Sequence, residues 1–348
     1  IISLVIAVIG ITLSKEILGI MGASPSVIES GHRYTQILIG GNISITLLFL
    51  INAIFRGAGN ASIAMRSLWI GNGANIILDP IFIFGLGPIP EFGVEGAAMA
   101  TTIGRGLGVV YQLYFLINGK SLIKVTRQNL LVLPDVIRRL IKVSLGGIGQ
   151  YLIGTASWIF LVRIISIFGS EAVAGYTIAF RVIIFTILPS WGMANAAATL
   201  VGQNLGAGFP DRAEKSVWTT ANYNLVFLLI LSVILGLWAK PITLLFTQEP
   251  EVVRNSVISL RIICLSYVFF AHGMVVSQSF NGAGDTRTPT IINFFIYWLV
   301  QIPLSYLFAM TAGWGVAGVY IAVTISAALL ALVFIIVFRR GKWKDTKI

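Results

Sequence analysis

Phe55-Arg56-Gly57-Ala58-Gly59-Asn60 and Phe280-Asn281-Gly282-Ala283-Gly284-Asp285 are two copies of one short pattern, separated by 225 residues. The same offset relates Lys15 to Lys240, Ile17 to Ile242 and Pro25 to Pro250. Further along, Gly93-Val94-Glu95-Gly96-Ala97 matches Gly315-Val316-Ala317-Gly318-Val319 at an offset of 222, and the three-residue slip falls in a loop. Because the matches keep their order over about 85 residues, they indicate an internal duplication.

Long apolar runs surround both copies of the pattern. Hydrophobic residues make up 57% of the 348 residues and charged residues 11%, whereas a soluble domain has about 25% charged residues. Runs of the roughly 20 residues that a membrane span needs lie at 35–56, 68–86, 96–118, 143–168, 172–202, 217–238, 253–280, 288–310 and 315–338. A shorter run at 1–14 is interpreted as the tail of a helix. The sequence therefore predicts an all-α polytopic membrane protein.

The duplication also predicts how many helices the complete fold has. The second half starts near Val143, so its counterpart would lie about 80 residues before the first residue of this chain. We expect two pseudo-symmetric bundles of six helices each, with the first two helices absent from this chain. The predicted domains are an N-terminal lobe at 1–118 (the remnant of helix 3 and helices 4–6), a basic linker at 119–142, a C-terminal lobe at 143–338 (helices 7–12) and a basic tail at 339–348.

The charged residues predict the orientation of the chain. The net charge is +11, but no basic face with interleaved aromatic residues is apparent, which argues against nucleic-acid binding. Basic residues gather in the linker and the tail, and further ones are expected in loops on the same side of the membrane: Arg56, Arg66, Arg212, Lys215 and Arg287. Because positive loops face the cytoplasm, we expect a multi-pass protein of the cell inner membrane with a cytoplasmic linker and C-terminus.

The stretch Ala197-Ala198-Thr199-Leu200-Val201-Gly202-Gln203-Asn204-Leu205-Gly206-Ala207-Gly208 and the two glycine patterns resemble signatures of the multidrug and toxic compound extrusion (MATE) family. The similarity spans the whole chain. It implies a MATE/MOP-type transporter fold and secondary active efflux of amphipathic, often cationic, xenobiotics or metabolites. Such a transporter exchanges its substrate for H⁺ or Na⁺ by alternating access, works as a monomer and needs no cofactor.

Asp79 is the acidic residue nearest the middle of a predicted span. A charged Asp at this depth costs about 2.5–3.5 kcal/mol on insertion scales, so it is rarely kept without a partner or a function. Asn75 lies one helical turn earlier on the same face, and Pro80 leaves a backbone carbonyl without its hydrogen bond. These groups favour a site for a small cation or a proton. The alternative is a structural role, with Asp79 capping or pairing with Arg105.

The DinF-like branch of the family carries a similar Asn-x-x-x-Asp pair on its fifth helix, matched here by Asn75 and Asp79. The resemblance adds a Thr on the sixth helix, for which Thr101 is the best match with Thr102 beside it, and an Asp on the first helix, outside this chain. The acids that the NorM-like branch carries on helices seven and ten have no match in Gly146–Tyr151 or Val253–Phe280. Coupling is therefore predicted in the N-terminal lobe, with no metal other than Na⁺ at Asp79.

Substrate contacts are predicted from polar and aromatic residues within the spans, although each of them also suits simple packing. The candidates are Asn52, Gln150, Trp191, Met193, Asn195 and Gln278. Structural roles are expected for Arg181, Gly57, Gly59, Gly282 and Gly284. A lipid or oligosaccharide flippase of the same superfamily remains the alternative and would favour a more cationic cavity. An intramembrane enzyme is disfavoured, because two separated histidines, one cysteine and one mid-membrane acid provide no catalytic cluster.

Overall fold

The computed structural model describes residues 2–119, 121–126, 129, 131 and 133–345. It contains two compact units, Ile1–Leu131 and Val132–Ile348, called unit 1 and unit 2 below. The helices of unit 1 are α1 (Ile2–Thr12), α2 (Ser14–Ile20), α3 (Pro25–Gly40), α4 (Asn42–Gly57), α5 (Ala61–Phe84) and α6 (Val94–Asn118). Those of unit 2 are α7 (Pro134–Ser166), α8 (Ser170–Gly206), α9 (Pro210–Leu237), α10 (Ala239–Leu244), α11 (Pro250–Leu265), α12 (Tyr267–Gly282), α13 (Arg287–Phe294), α14 (Ile302–Tyr306) and α15 (Gly315–Arg339).

The duplication read from the sequence is confirmed by the helix boundaries. Helices α3 and α11 begin and end 225 residues apart, and so do α4 and α12. The turn after each pair is also the same, because the Asn60 amide donates to the Phe55 carbonyl as the Asp285 amide donates to Phe280. In these turns Gly59 and Gly284 have φ of +88° and +81°, a region that glycine enters without the steric cost other residues meet. One glycine-ended helix hairpin thus occurs in each unit.

The membrane spans differ from the prediction in number and in their ends. Within the described residues seven helical segments are long and apolar enough to cross a bilayer: Pro25–Gly57, Ala61–Phe84, Pro134–Ser166, Ser170–Gly206, Pro210–Leu237, Arg287–Thr311 and Gly315–Arg339. Up to nine result if two bent helix pairs, α1 with α2 and α11 with α12, each count as one span. Helix α6 is long enough, but its glycines, threonines and Arg105 lower its hydropathy below the level of the others.

Several predicted boundaries were wrong for identifiable reasons. The span expected at 35–56 begins at Pro25, because the amphipathic α3 precedes α4 without a loop. The span expected at 253–280 is bent by 54° between α11 and α12, at Ser266. The run at 1–14 forms α1 and the start of α2, which are bent by 82°. Between Arg287 and Thr311 the helix widens twice into π-helical turns, at Phe295–Gln301 and Leu307–Thr311.

Basic residues expected in loops lie within helices instead, at or near the helix ends. Arg56 occupies the last turn of α4, Arg66 lies in α5, and Arg212 and Lys215 lie near the start of α9. Helix α7 begins at Pro134, so the last nine residues of the predicted linker are helical. Lys120, Arg127 and Lys347, which contribute to the predicted basic linker and tail, lie outside the described residues. A helix end keeps a long basic side chain near the interface as well as a loop does.

Unit 1 is organised around a close seam between α5 and α6. A Cβ atom added at Gly104 would lie 2.6 Å from the Gly71 carbonyl oxygen, and one added at Gly108 would lie 2.9 Å from the Ser67 carbonyl oxygen. A Cβ atom added at Gly96 would lie 2.5 Å from the backbone of Phe82. Small residues every four positions therefore let the two helices touch backbone to backbone, as is typical of membrane helices. This seam fixes the register in which α5 faces α6.

Unit 2 ends in a short tail that folds back on its own helices. After α15, Lys342–Asp345 form a 3₁₀ turn that buries Trp343. The Trp343 ring stacks on Phe338 at 4.5 Å between centroids, and the Lys344 ammonium contacts Glu214 at 2.6 Å and Asp211 at 3.1 Å. These contacts raise the pKa of Lys344 through the hydrogen bonds to Glu214 and Asp211. The tail, predicted as a basic extension, is therefore attached to the first turns of α9.

Candidate functional site

The three residues predicted for cation coupling lie together on the α5–α6 seam. The Asn75 Nδ2 atom donates to the Asp79 Oδ1 atom at 3.1 Å and to the Thr101 Oγ1 atom at 3.3 Å. Asn75 and Asp79 are one turn apart on α5, whereas Thr101 projects from α6. All three side chains are half-buried. The amide of Asn75 thus links the carboxyl group to the neighbouring helix.

The neighbouring threonine has a different position. The Thr102 hydroxyl donates to the Ala98 carbonyl at 2.9 Å within α6. Its side chain lies against Gly41, where an added Cβ atom would be 2.5 Å from the Thr102 Cγ2 atom. Of the two candidates, only Thr101 contacts Asn75.

The Asp79 carboxyl group has no basic partner in the described part of the chain. The described ion pairs join Arg33 to Glu95, Arg254 to Glu251, and Lys344 to Asp211 and Glu214. The alternative pairing of Asp79 with Arg105 is therefore absent. Helix α5 continues through Pro80 to Phe84, and because proline has no amide hydrogen, the Ile76 carbonyl lacks its i+4 donor. A carboxyl group, an amide and a hydroxyl therefore meet at the seam, and α5 has a carbonyl without its i+4 donor in the same turn.

A second polar cluster lies in the interior of unit 1, farther along the same seam. The Gln112 Nε2 atom donates to Asn52 Oδ1 at 2.8 Å and to Ser67 Oγ at 2.9 Å, and Ser67 donates to Asn52 Oδ1 at 3.0 Å. All three side chains are buried. Asn52 was predicted to contact substrate, but this burial favours a role in holding α4, α5 and α6 together.

Unit 2 contains a cavity that three of the predicted substrate residues line. One chamber of about 450 Å³ is lined by Gln150, Trp191 and Gln278 together with Asn281 and Asn293. A second chamber of about 550 Å³ is contiguous with it, because seven residues line both: Tyr151, Gly154, Thr155, Trp191, Phe270, Tyr297 and Ala327. We call the first the polar chamber and the second the aromatic chamber. Neither has an Asp, Glu, Lys, Arg or His among its described lining residues.

Side-chain amides form one wall of the polar chamber. The Gln150 Nε2 atom donates to Asn281 Oδ1 at 3.0 Å, and the Asn281 Nδ2 atom donates to Gln150 Oε1 at 3.2 Å. Asn281 also donates to Gln278 Oε1 at 3.2 Å, and Gln150 donates to the Thr286 carbonyl at 3.1 Å. Helix α7 is thereby bonded to the end of α12 and the start of α13. Gly146 makes this approach possible, since an added Cβ atom there would lie 2.2 Å from the Thr286 hydroxyl oxygen.

Layers of aromatic rings form the wall of the aromatic chamber. Trp158 stacks on Phe180 at 5.1 Å between centroids, Phe180 on Tyr176 at 5.6 Å, and Tyr176 on Tyr320 at 6.0 Å. The interplanar angles are 22°, 25° and 12°. The Trp158 Nε1 atom donates to the Tyr176 hydroxyl at 2.9 Å. The stack therefore has fixed ring planes from α7, α8 and α15.

The remaining predicted residues have other positions. Met193 and Asn195 do not line either chamber among the described residues, and the Asn195 amide donates to the Trp191 carbonyl within α8. Arg181 is exposed and makes no hydrogen bond or ion pair within the described ranges, so nothing in unit 2 supports its predicted structural role. A Cβ atom added at Gly282 would lie 2.2 Å from the Ala198 carbonyl oxygen, whereas one added at Gly57 would meet nothing within 4 Å. Sterics therefore require the glycine at 282 but not the one at 57.

Sequence reasoning missed most of the aromatic chamber and the amide partner of Gln150. Tyr176 and Phe180 are four residues apart on α8, a spacing that puts them on one face, but nothing in the sequence indicates that Trp158 and Tyr320 stack on them. Asn281 lies within the glycine pattern, and the sequence predicted no role in ligand binding for it. The signal available in the sequence was the presence of amide residues one turn apart at Gln278 and Asn281, at the end of an apolar helix.

Comparisons with known proteins agree with this architecture. The family model described as MatE matches residues 1–81 and 146–307, more than half of the chain. The chain is 26% identical, over 95% of its length and 72% of the relative, to the "Probable multidrug resistance protein NorM" of Thermotoga maritima. It is 24% identical, over 94% of its length and 71% of the relative, to the "Multidrug export protein MepA" of Staphylococcus aureus.

A solved structure described as "Crystal structure of MATE in the straight conformation" superposes with a TM-score of 0.90 at 26% identity. That alignment covers 99% of this chain and 77% of the other. The helix order, the duplicated hairpin and the apolar spans are thus those of a known transporter fold. The chain belongs to the MatE family, whose members are membrane transporters and not enzymes.

Proposed function

We propose that this protein is a secondary active exporter that exchanges an amphipathic small molecule for H⁺ or Na⁺ bound at Asp79, Asn75 and Thr101. The observation that carries the proposal is the pair of hydrogen bonds by which Asn75 joins the Asp79 carboxyl group to Thr101. An acid kept in an apolar helix without a basic partner is expected to serve ion or proton traffic. The multidrug names of the relatives support a small-molecule substrate.

Coupling follows from the position of Asn75 between two helices. A proton or Na⁺ at Asp79 changes what the carboxyl oxygen can accept, and Asn75 transmits that change to Thr101 on α6. The seam has little freedom to absorb a shift, because Gly71 and Gly104 touch through their backbones. The bound cation would therefore favour one arrangement of α5 and α6. Antiport requires that the cation and the exported molecule each favour a different conformation.

Membership of the DinF-like branch is part of the proposal, and so is the expected orientation. In that branch an Asp of the first helix completes the cation site, and the resemblance matches no residue of this chain to it. The basic ends of α4, α9 and α15 would face the cytoplasm by the positive-inside rule. The C-terminus, with its folded tail, would then be cytoplasmic.

A flippase for an anionic lipid-linked substrate is the weaker candidate. Such a substrate carries phosphate groups, which are bound by Arg and Lys. No Lys or Arg is among the described residues that line the polar and aromatic chambers. An uncharged aromatic cavity suits an amphipathic small molecule better.

The proposal is tested by efflux from proteoliposomes under an imposed H⁺ or Na⁺ gradient. We expect Asp79→Asn to abolish gradient-driven export while the protein still folds and inserts. Asp135→Asn is the matched control, because this acid is exposed in the first turn of α7 and should leave export unchanged. Undiminished gradient-driven export by Asp79→Asn would remove Asp79 from the coupling role.

A further inference from the structure

The absence of charge is the first property of the unit-2 cavity that restricts its ligand. Its described lining residues include no ionisable acid or base apart from tyrosine. A cation that leaves water for such a cavity loses its hydration and finds no carboxylate in return. Aromatic faces attract cations, but a neutral ligand avoids the desolvation cost altogether. The cavity therefore favours uncharged molecules.

The amide wall is the second restrictive property. Gln150 and Asn281 each present a donor and an acceptor side by side, and in the free protein they satisfy one another in both directions. The group that replaces either partner without loss of a hydrogen bond is another amide edge, with an N–H next to a C=O. Lactams and imides have this edge within a ring. A ligand that lacks the donor would leave an acceptor of this half-buried wall unpaired.

The stacked rings are the third property. Trp158, Phe180, Tyr176 and Tyr320 form a layered wall with small angles between successive planes. Flat rings gain dispersion and quadrupole energy against such a wall. The two chambers, of about 450 and 550 Å³, lie within the size range of small-molecule sites. A ligand of two or three fused rings would extend from the amide wall toward the aromatic stack.

We propose that the unit-2 cavity binds a neutral planar heteroaromatic molecule, whose lactam or imide edge hydrogen-bonds to Gln150 and Asn281 while its rings lie against the Trp158–Tyr320 stack. This inference rests on the proposed export function and names its substrate class as uncharged. It departs from the cationic substrates that the resemblance implied. The ligand site and the cation site would then belong to different units of the chain.

The test is direct binding to the purified protein in lipid nanodiscs, with three fluorescent probes. Lumiflavin is neutral, has three fused rings and carries an imide edge; N3-methyl-lumiflavin lacks the imide donor; ethidium is a planar cation of similar size. We expect lumiflavin to bind roughly tenfold more tightly than its N3-methyl derivative, the ratio that one lost hydrogen bond gives. Ethidium should bind more weakly than lumiflavin.

Two variants distinguish the contribution of the amide wall to binding from that of the aromatic stack. Gln150→Leu should remove the difference between lumiflavin and its N3-methyl derivative, whereas Trp158→Ala should weaken both probes by the same factor. Gln248→Leu is the matched control, because Gln248 is exposed and donates to the Leu244 carbonyl outside both chambers. Each variant is first checked for a monodisperse elution profile and an unfolding temperature near that of the parent protein.

Several results would overturn the inference. They are the absence of lumiflavin binding, equal binding of the N3-methyl derivative, tighter binding of ethidium, or an unchanged preference in Gln150→Leu. Each of these leaves the role of Asp79 untouched, since that role is measured by gradient-driven export. Conversely, Asp79→Asn should keep the preference for lumiflavin over its N3-methyl derivative even where the lost cation site shifts the affinity for both probes, so a failure of coupling and a failure of the cavity assignment are told apart.

Discussion

Replacement of Gly104 by alanine perturbs the α5–α6 seam next to the candidate cation site. The added Cβ atom would lie 2.6 Å from the Gly71 carbonyl oxygen and 3.2 Å from both the Asn75 Cβ and the Asn75 backbone nitrogen. Ordinary contacts of a Cβ atom begin at 3.4 Å, so α6 must move away from α5. Thr101 lies one turn from Gly104 on the same helix and would move with it.

A second glycine on the same helix provides the control that separates the steric cost of Gly104→Ala from the change in helix propensity. Gly106 meets nothing within 4 Å of an added Cβ atom, so Gly106→Ala adds only helix propensity, worth about 1 kcal/mol in its favour. Gly104→Ala gains the same propensity but overpacks the seam, which typically costs about 1–3 kcal/mol. The difference between the two variants should therefore be about 1–3 kcal/mol, which corresponds to roughly 2–10 °C in unfolding temperature.

The functional consequence is a weaker cation site. Separation of the helices lengthens the contact between Asn75 and Thr101, which is 3.3 Å in the parent protein. Export by Gly104→Ala should need a higher H⁺ or Na⁺ concentration for half-maximal rate, and Gly106→Ala should behave as the parent protein. The measurements are thermal unfolding in detergent and cation titration of efflux in proteoliposomes. A Gly104→Ala variant as stable as Gly106→Ala, with unchanged cation dependence, would refute the role given to the seam.

Other contacts give further predictions. Trp343→Ala should destabilise unit 2 by about 3–5 kcal/mol because its ring is buried against Phe338, and an unfolding temperature equal to that of the parent would contradict this. Lys344→Met should cost about 1 kcal/mol or less, since the pair with Glu214 is partly solvent-exposed. The folded-state pKa of Lys344 is raised above 10.5 by the hydrogen bond to Glu214, and the same bond lowers the pKa of Glu214. This contribution should therefore stay constant through neutral pH, disappear as the pH rises through the raised pKa of Lys344, and disappear as the pH falls through the lowered pKa of Glu214. Gln112→Leu should cost about 1–3 kcal/mol by removing the Nε2 donor that Asn52 Oδ1 and Ser67 Oγ share, measured by thermal unfolding against Ser62→Ala, an exposed serine of α5, as control.

The fold was largely predictable because its signals are local or repeated. Apolar runs of sufficient length predict spans. The two glycine patterns gave an offset of 225 residues, and the ends of α3 and α11, and of α4 and α12, have the same offset. The errors arose where a helix contains polar residues, or where a helix bends within an apolar run. Helix α3 carries Glu29, His32 and Arg33, and the predicted span began only at residue 35, although an amphipathic helix tolerates such residues on one face. No proline or glycine next to Ser266 marks the bend in the sequence.

The candidate site was predictable only in part. Asn75 and Asp79 share one helix, so their contact follows from a spacing of four residues. The partner Thr101 came from the family resemblance, because nothing in one sequence states which α6 residue faces α5. The pairing of Gln150 with Asn281 spans 131 residues and depends on the close approach at Gly146. Contacts of that range depend on how helices pack and leave no periodic signal in the chain.

The two units show how the helices that follow the duplicated hairpin differ between the two copies. At the repeat offset of 225, Asp79 corresponds to Leu304 and Asn75 to Val300, and at 222, Thr101 corresponds to Val323. The second copy therefore lacks every polar group of the cation cluster, and Val323 lines the aromatic chamber. In the other direction, Tyr320 corresponds to Ala98, which is buried on α6 of unit 1.

This exchange has a physical logic. A bound cation needs oxygen ligands at close range, and the close seam of α5 and α6 brings the Asp79 carboxyl group and the Thr101 hydroxyl within reach of the same Asn75 amide. A flat ligand needs space, and in the second copy the π-helical turn at Phe295–Gln301 interrupts the regular helix where Tyr297 and Gln301 line the aromatic chamber. Such turns are frequently found at functional sites. Leu304→Asp with Val300→Asn should create a costly acid in unit 2 without restoring export to Asp79→Asn, because Val323 stands at the position of the matching threonine. Restored gradient-driven export would instead mean that the two copies are interchangeable.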